Sequence, residues 1–359
     1  MEIVFFTNRM TSGGSERVIS YLANELSKAN DVTILTMTSA KSSYYLTDGV
    51  KHIPLEDRPA KNNHGIITNV KRIIRLKKYI KEHPEAYYIS FVTEPSYILM
   101  ALRRYLGNKG KAIVTVRNDP KQQHKHFYDK ILVRILYPKA DAMVFQTVEG
   151  ERYYSNIKIK KAVILPNPVN EQFIKEPYDG IRKREIINVG RLVKQKNQKM
   201  LIEAFEEVHR EYPDYKLLIY GDGPLKNVLN ETIKNLNLQE SVFLKGNIPD
   251  LQNVIYDAEM FVLSSDYEGM PNALLEAMAL GIPVISTRAS GGGPETIIQN
   301  EKNGILVDID NKEQMAHAII SLIGEKNKLR ELSHNAAKIS EKYSPKATLN
   351  AWDKFLKTI

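Results

Sequence analysis

The chain has 359 residues, a formal net charge of +9, 43% hydrophobic and 26% charged residues. That length exceeds one ordinary hydrophobic core and predicts two domains, with the composition of a soluble globular protein. It contains no cysteine, which excludes disulfides, thiolate catalysis and cysteine-ligated metals and fits a reducing compartment.

The charge is uneven. Residues 1–175 carry 28 Lys and Arg against 16 Asp and Glu, a net +12, whereas residues 176–359 carry 23 against 26, a net −3. An anionic partner is therefore expected at the first half, with nucleic acid and an anionic membrane surface as the two candidates. The chain opens on Met1-Glu-Ile-Val-Phe-Phe-Thr7, a strand pattern with no basic leader. No apolar run reaches the length of a membrane span, so a cytoplasmic protein is expected.

In the first half, strands are predicted near 3–7, 31–36, 87–92, 111–116, 142–146 and 162–165. In the second they fall near 186–190, 216–220, 241–245, 260–263, 283–286 and 304–307. Most are short and continuously apolar, as in Lys216-Leu-Leu-Ile-Tyr220, which suits strands buried on both faces of a parallel sheet. Strands alternating with amphipathic helices predict repeated βαβ units and an α/β fold of doubly wound sheets. The linker expected at Leu165-Pro-Asn-Pro-Val169 divides the chain into domains at 1–168 and 169–344, followed by a last helix at 345–359. Two such domains facing each other would place a ligand in the cleft, outside the carboxyl ends of the strands.

Several segments at strand ends carry candidate chemistry. Thr11-Ser-Gly-Gly-Ser-Glu16 follows the first strand and opens a helix. Its glycines permit close approach of a phosphate or sugar, and its plain alternative is a tight turn capped by Ser15. From Ile66 to His83, six cations interleave with isoleucines and Val70. The apolar positions 66, 70, 73, 74 and 80 make a stripe broken by Lys77, which predicts packing on the first sheet and a cationic outer face suited to an anionic membrane. Arg103, Arg104, Lys121, Lys125, Lys130 and Arg134 add to it.

Gly190-Arg-Leu-Val-Lys-Gln-Lys-Asn197 lies between a strand and a helix, where Arg191 and Lys196 can grip phosphate oxygens. A solvated basic loop is the alternative. Tyr220-Gly-Asp-Gly-Pro224 and Ser290-Gly-Gly-Gly-Pro-Glu295 read as turns, the second also open enough for a sugar. Glu268-Gly-Met-Pro-Asn-Ala-Leu-Leu-Glu276 sets two carboxylates across a helix start. Pro271 suits the first helical position, Asn272 to Leu280 reads as helix, and Gly281 with Pro283 ends it. Glu276 then lies roughly 7 Å beyond a helix start able to hold a phosphate. The segment fits a sugar nucleotide, although an ordinary helix with solvated glutamates explains it equally well in isolation.

Together these motifs resemble, over nearly the whole chain, the large family of retaining glycosyltransferases with a GT-B fold. The resemblance implies two Rossmann-like domains, acceptor-binding at the N-terminus and nucleotide-sugar-binding at the C-terminus, with the final helix crossing back onto the first. It assigns Glu268, Arg191 and Lys196 to catalysis, with Arg191 and Lys196 on the diphosphate. It assigns Gly14, Asn247, Met270, Pro271, Asn272, Ala273, Leu274 and Glu276 to the donor, Glu276 meeting the ribose and Gly246 with Asn247 lying at the base. Glu16 and Asp119 are expected at the acceptor.

One segment departs from the family. Where many relatives carry a histidine near the reacting carbon, this chain reads Thr115-Val-Arg-Asn-Asp-Pro120, and Arg117 is the candidate substitute. Asp119 reads slightly better as a turn residue before Pro120. With no Asp-x-Asp pair at a strand end, the expected reaction is metal-independent and cofactor-free, with retention. It moves a hexosyl or N-acetylhexosaminyl group from a UDP-sugar to a lipid-linked saccharide, and UDP rests on family frequency alone. Alternatives are a nucleotide-sugar epimerase, a non-catalytic nucleotide-sugar binder, and a basic nucleic-acid-binding protein, the last without helix-turn-helix, zinc or aromatic RNA-binding signatures.

Overall fold

Short apolar runs such as Ile3-Val-Phe-Phe6 form strands because both their faces are covered, and the first of them founds a seven-stranded sheet. In the computed structural model, which describes residues 1–11, 13–39, 41–56 and 66–359, the first unit comprises Met1–Asn167 and Lys346–Ile359. Its strands are β1 (Glu2–Thr7), β2 (Asp31–Thr36), β3 (Val50–Pro54), β4 (Tyr87–Ser90), β5 (Lys111–Thr115), β6 (Ala142–Phe145) and β7 (Ala162–Ile164). They are ordered β3-β2-β1-β4-β5-β6-β7, and every pairing is parallel. The alternation along each strand sends Phe5 and Ile34 to one face, with Ile19 and Leu22 of helix Gly14–Leu26 and Trp352 of helix Pro345–Thr358. Phe6 and Leu35 point to the other face, against Leu76 and Ile80 of helix Ile66–Glu82, Leu99 of helix Thr93–Leu102 and Val133 of helix Phe127–Leu136.

The second unit, Pro168–Pro345, holds β8 (Lys183–Val189), β9 (Lys216–Tyr220), β10 (Val242–Gly246), β11 (Ala258–Leu263), β12 (Val284–Thr287) and β13 (Ile305–Val307). Their order, β10-β9-β8-β11-β12-β13, again runs parallel throughout. In both sheets the order reverses beside the first strand, and ligands of such sheets bind at the carboxyl ends flanking that reversal. In the second unit the segments there follow β8 and β11.

Two expectations are corrected. β3 was not anticipated, because Val50-Lys-His-Ile-Pro54 is an edge strand, half-exposed and without a continuous apolar run. The apolar stripe expected to pack helix Ile66–Glu82 is divided between its two sides. Leu76, Ile80 and Arg72 are buried, while Ile67, Val70 and Ile74 are 74%, 48% and 60% exposed. Glu56, itself buried after β3, draws Arg72 inward as an ion pair, with Nε donating to Oε2 at 3.1 Å. A buried charge needs such a partner, and its choice rotates the helix. Among the described residues, no helix is long and apolar enough to cross a membrane.

Candidate functional site

The segment after β8 is shaped by its neighbour after β9. Gly190 N–H donates to Tyr220 O (2.9 Å), Leu192 N–H to Asp222 O (3.0 Å), and Leu225 N–H back to Leu192 O (3.1 Å). Gly221 and Gly223 permit this approach: a Cβ on either would lie within 2.5 Å of the Gly190 or Leu192 carbonyl. The chain then makes a 3-10 turn, Lys194–Lys196, and Asn197, in the left-handed conformation (φ 43), caps helix Gln198–Glu211. Arg191 remains exposed.

The segment after β11 is stitched onto this turn. Ser264 Oγ donates to Lys196 O (2.8 Å), Asp266 N–H to Gln195 O (2.9 Å), Asn197 Nδ2 to Asp266 Oδ1 (2.8 Å) and Gln195 Nε2 to Tyr267 O (2.9 Å). Burial raises the Asp266 carboxyl above its ordinary range, and nearby Asp310 adds to the rise against the lowering bond from Asn197. A third segment, after β12, closes the set: Ser290 N–H donates to Asp266 O (3.0 Å), Glu268 N–H to Ser290 O (2.8 Å).

Glu268 is thereby buried at the carboxyl edge. Its Oε1 accepts from the Lys196 ammonium and from Ser265 Oγ (2.8 Å), and its Oε2 from Gln195 Nε2 (3.4 Å). The fold thus joins two sequence candidates that are 72 residues apart. Ser265 and Gln195 were missed, since nothing in their own sequence context marks them as partners of a carboxylate.

The helix after Glu268 is Asn272–Ala279, starting where expected and ending one residue before Leu280, with Pro271 just outside it instead of at its first position. Pro271 is its N-cap: the residue is extended (φ −76, ψ 109) and its carbonyl accepts from Leu275 N–H (3.2 Å). Gly281, at φ +66, follows the helix end. Glu276 lies in the second turn and is buried, as are Met270, Pro271 and Leu274, while Asn272 and Ala273 are half-exposed. Gly246 ends β10 with open space around it, and Asn247 beside it is exposed.

In the first unit, Gly14 is exposed at the start of helix Gly14–Leu26, and Glu16 folds back across Gly13. Ser12 lies outside the described residues. Asp119 is buried and caps the short helix Pro120–Gln123, accepting from Lys121 N–H at 2.9 Å. Its carboxylate therefore has the turn role that the sequence favoured. Arg117 stacks on Phe91, 5.0 Å from the ring centroid, and donates through Nη2 to Asn167 Oδ1, which also receives Gln146 Nε2 (2.7 Å). Those partners follow β4, β7 and β6, so they converge only in the folded sheet.

Comparisons with known proteins agree with this architecture. Residues 12–173 match the family described as Glycosyltransferase Family 4, and residues 171–339 that described as Glycosyl transferases group 1. The chain is 30% identical over 352 residues, 94% of each protein, to N-acetylgalactosamine-N,N'-diacetylbacillosaminyl-diphospho-undecaprenol 4-alpha-N-acetylgalactosaminyltransferase of Campylobacter jejuni. It is 27% identical over 320 residues, 82% of this chain and 81% of the other, to UDP-Gal:alpha-D-GlcNAc-diphosphoundecaprenol alpha-1,3-galactosyltransferase of Escherichia coli. Among solved structures, Anabaena Alr3699/HepE in complex with UDP superposes with a TM-score of 0.81 at 15% identity, covering 100% of both chains, and shares the fold.

Proposed function

The chain belongs to the GT-B glycosyltransferases of the family 4 type, and from that premise we propose that it moves a hexosyl or N-acetylhexosaminyl group from a UDP-sugar to a lipid-diphosphate-linked saccharide, with retention and without a metal. The observation that carries this reading is the buried Glu268–Lys196 pair at the sheet's reversal point, beside exposed Arg191. A carboxylate held by an ammonium, a hydroxyl and an amide is fixed in place, as a group that must meet sugar hydroxyls needs to be. Arg191 and Lys196 supply the positive charge that a departing diphosphate requires. On this reading the donor belongs to the second unit, with Glu276 at the ribose, Gly246 and Asn247 at the base and the segment Met270–Leu274 alongside. The acceptor belongs to the first, near Glu16 and Asp119.

In the proposed reaction the acceptor hydroxyl attacks the anomeric carbon from the face that the nucleoside diphosphate leaves. The carbon–oxygen bond to the diphosphate breaks, the new glycosidic bond forms, and a phosphate oxygen takes the hydroxyl proton. No separate general base is demanded. Undecaprenol-diphosphate acceptors named for the Campylobacter and Escherichia relatives support the lipid-linked acceptor, and UDP in the Anabaena structure supports the donor class.

A peripheral membrane contact also belongs to this reading. Ile67, Val70 and Ile74 project outward with Lys71 and Lys78. On the same side of the sheet, helix Phe127–Leu136 exposes Phe127, Ile131 and Ile135 with Lys130 and Arg134. Apolar side chains flanked by cations suit an anionic lipid surface.

The test is nucleotide binding and turnover in EDTA. Stability shifts across UDP-, GDP-, ADP- and TDP-sugars should single out UDP, and Glu268→Ala should keep the UDP shift while losing most turnover. Full activity in that variant would refute the assignment.

A further inference from the structure

Among the described residues, Arg117 is a cation without a counter-charge. It follows β5 at the carboxyl edge of the first sheet, where Phe91 stacks under the guanidinium and Asn167 receives one nitrogen. Its Nε and Nη1 are wholly buried and meet no acceptor among the described residues. Asp119, two residues on, uses its carboxylate to cap Lys121 N–H, and no ion pair forms with Arg117 among the described residues. Burial pulls the guanidinium down to about 9, which leaves it charged at neutral pH.

A buried cation with two unmet donors is costly in a protein that has no use for it. Such a group suits a ligand bringing several acceptor oxygens and negative charge, and a planar guanidinium matches phosphate well. The supporting ring of Phe91 and the Asn167–Gln146 pair hold it ready before any ligand arrives.

We propose that Arg117 is a preformed receptor for a diphosphate, and that the diphosphate is the acceptor's. This rests on the transferase reading above, in which Arg191 and Lys196 of the second unit serve the donor. Arg117 belongs to the other unit, within the half of the chain whose net charge is +12. The acceptor is thus recognised by its lipid-attachment group as well as by its sugar, and the receptor selects diphosphate-linked saccharides over neutral ones.

Inorganic pyrophosphate is the probe, with thermal stability of the full chain as the readout, in EDTA, with and without saturating UDP. Pyrophosphate should raise the melting temperature even when UDP saturates the donor site. Arg117→Met should lose that shift, keep the UDP shift, and melt higher than the parent without ligand, because an unpaired buried cation has been replaced by an apolar chain of similar length. Arg117→Lys should bind pyrophosphate about tenfold more weakly, since it keeps the charge but loses the fork.

Saturating UDP abolishing the pyrophosphate shift, with Arg117→Met weakening UDP, would assign Arg117 to the donor and overturn the proposal. So would an absent pyrophosphate shift in the parent. A destabilised Arg117→Met that still responds to pyrophosphate would make the residue structural. If no nucleotide sugar of the panel gives a shift, the donor reading itself falls, whatever pyrophosphate does, and the acceptor assignment falls with it.

Discussion

Removing Lys196 should damage the second unit at least as much as removing Lys196 and Glu268 together. The Glu268 side chain is 8% exposed and the Lys196 side chain 16%, so neither charge can be rehydrated without opening the loops around them. Losing one partner of a buried pair typically costs about 3–5 kcal/mol, because the other charge is left uncompensated. In Lys196→Met, Glu268 keeps the bonds from Ser265 and Gln195, which places the expected cost near the lower end, at about 3 kcal/mol. Glu268→Gln leaves the more exposed ammonium unpaired and should cost about 2 kcal/mol. The double variant should recover at least about 2 kcal/mol of the summed loss as coupling. The single tryptophan, Trp352, lies in the core of the first unit, so its fluorescence monitors that unit and serves as the internal reference. Hydrogen exchange in helices Gln198–Glu211 and Asn272–Ala279 reads the second. Strictly additive losses there, with coupling below about 0.5 kcal/mol, would refute the view that this pair organises the site.

Three further outcomes are expected. A Cβ on Gly293 would lie 1.5 Å from Gly269 O, so Gly293→Ala must push the Glu268 segment aside; we expect about 1–3 kcal/mol of destabilisation and a loss of sugar transfer larger than the loss of UDP affinity, measured by turnover and calorimetry. Burial lowers His124 from 6.5 to about 4, opposed by Asp129. Below pH 6.5 the unfolded chain takes up a proton that the folded one refuses, so stability falls with pH from 6.5 toward 4 and is level above, by at most about 3 kcal/mol. Denaturant titrations should show that slope reduced in His124→Gln, and an unchanged slope would mean that His124 is protonated in the fold. In vesicle flotation, the parent should rise with anionic but not neutral lipid, and a triple Ile67, Val70 and Ile74→Gln variant should stay at the bottom; equal recovery of both would exclude that face as the contact.

The parallel sheets were legible because strands covered on both faces need continuous apolar runs, and most of those runs survive in the sequence as Ile, Val, Leu and Phe. β3 was not legible because an edge strand needs only one covered side, so Lys51 and His52 dilute its signal. The orientation of helix Ile66–Glu82 depended on Glu56, ten residues before the helix begins, since pairing with that carboxylate buries Arg72 and turns Val70 and Ile74 outward. Periodicity counts apolar positions and cannot see such a partner. At the site, local spacing marked Glu268, Glu276 and Arg191, whereas the Lys196–Glu268 bond and the isolation of Arg117 arise only when separate strand ends converge.

The glycines show where local reading and folded geometry part most clearly. From sequence, the Gly-rich segments 11–16 and 290–295 could let a phosphate or sugar approach, and 220–224 reads as a turn. In the fold, Gly221, Gly223 and Gly293 are spacers between one loop and the next: added side chains would strike the Gly190, Leu192 and Gly269 carbonyls. Their effect on a ligand is therefore indirect, exerted through the placement of Arg191 and Glu268. Gly246 is the contrasting case, with nothing within 4 Å of its would-be Cβ and φ of +69. There the backbone conformation alone favours glycine, and the space at its would-be Cβ, at the carboxyl end of β10, is open. The donor site on this reading is a frame of interlocked loops whose glycines are mostly turned inward. Its rigidity, more than any flexibility of Gly-rich segments, holds the carboxylate and the two cations in register.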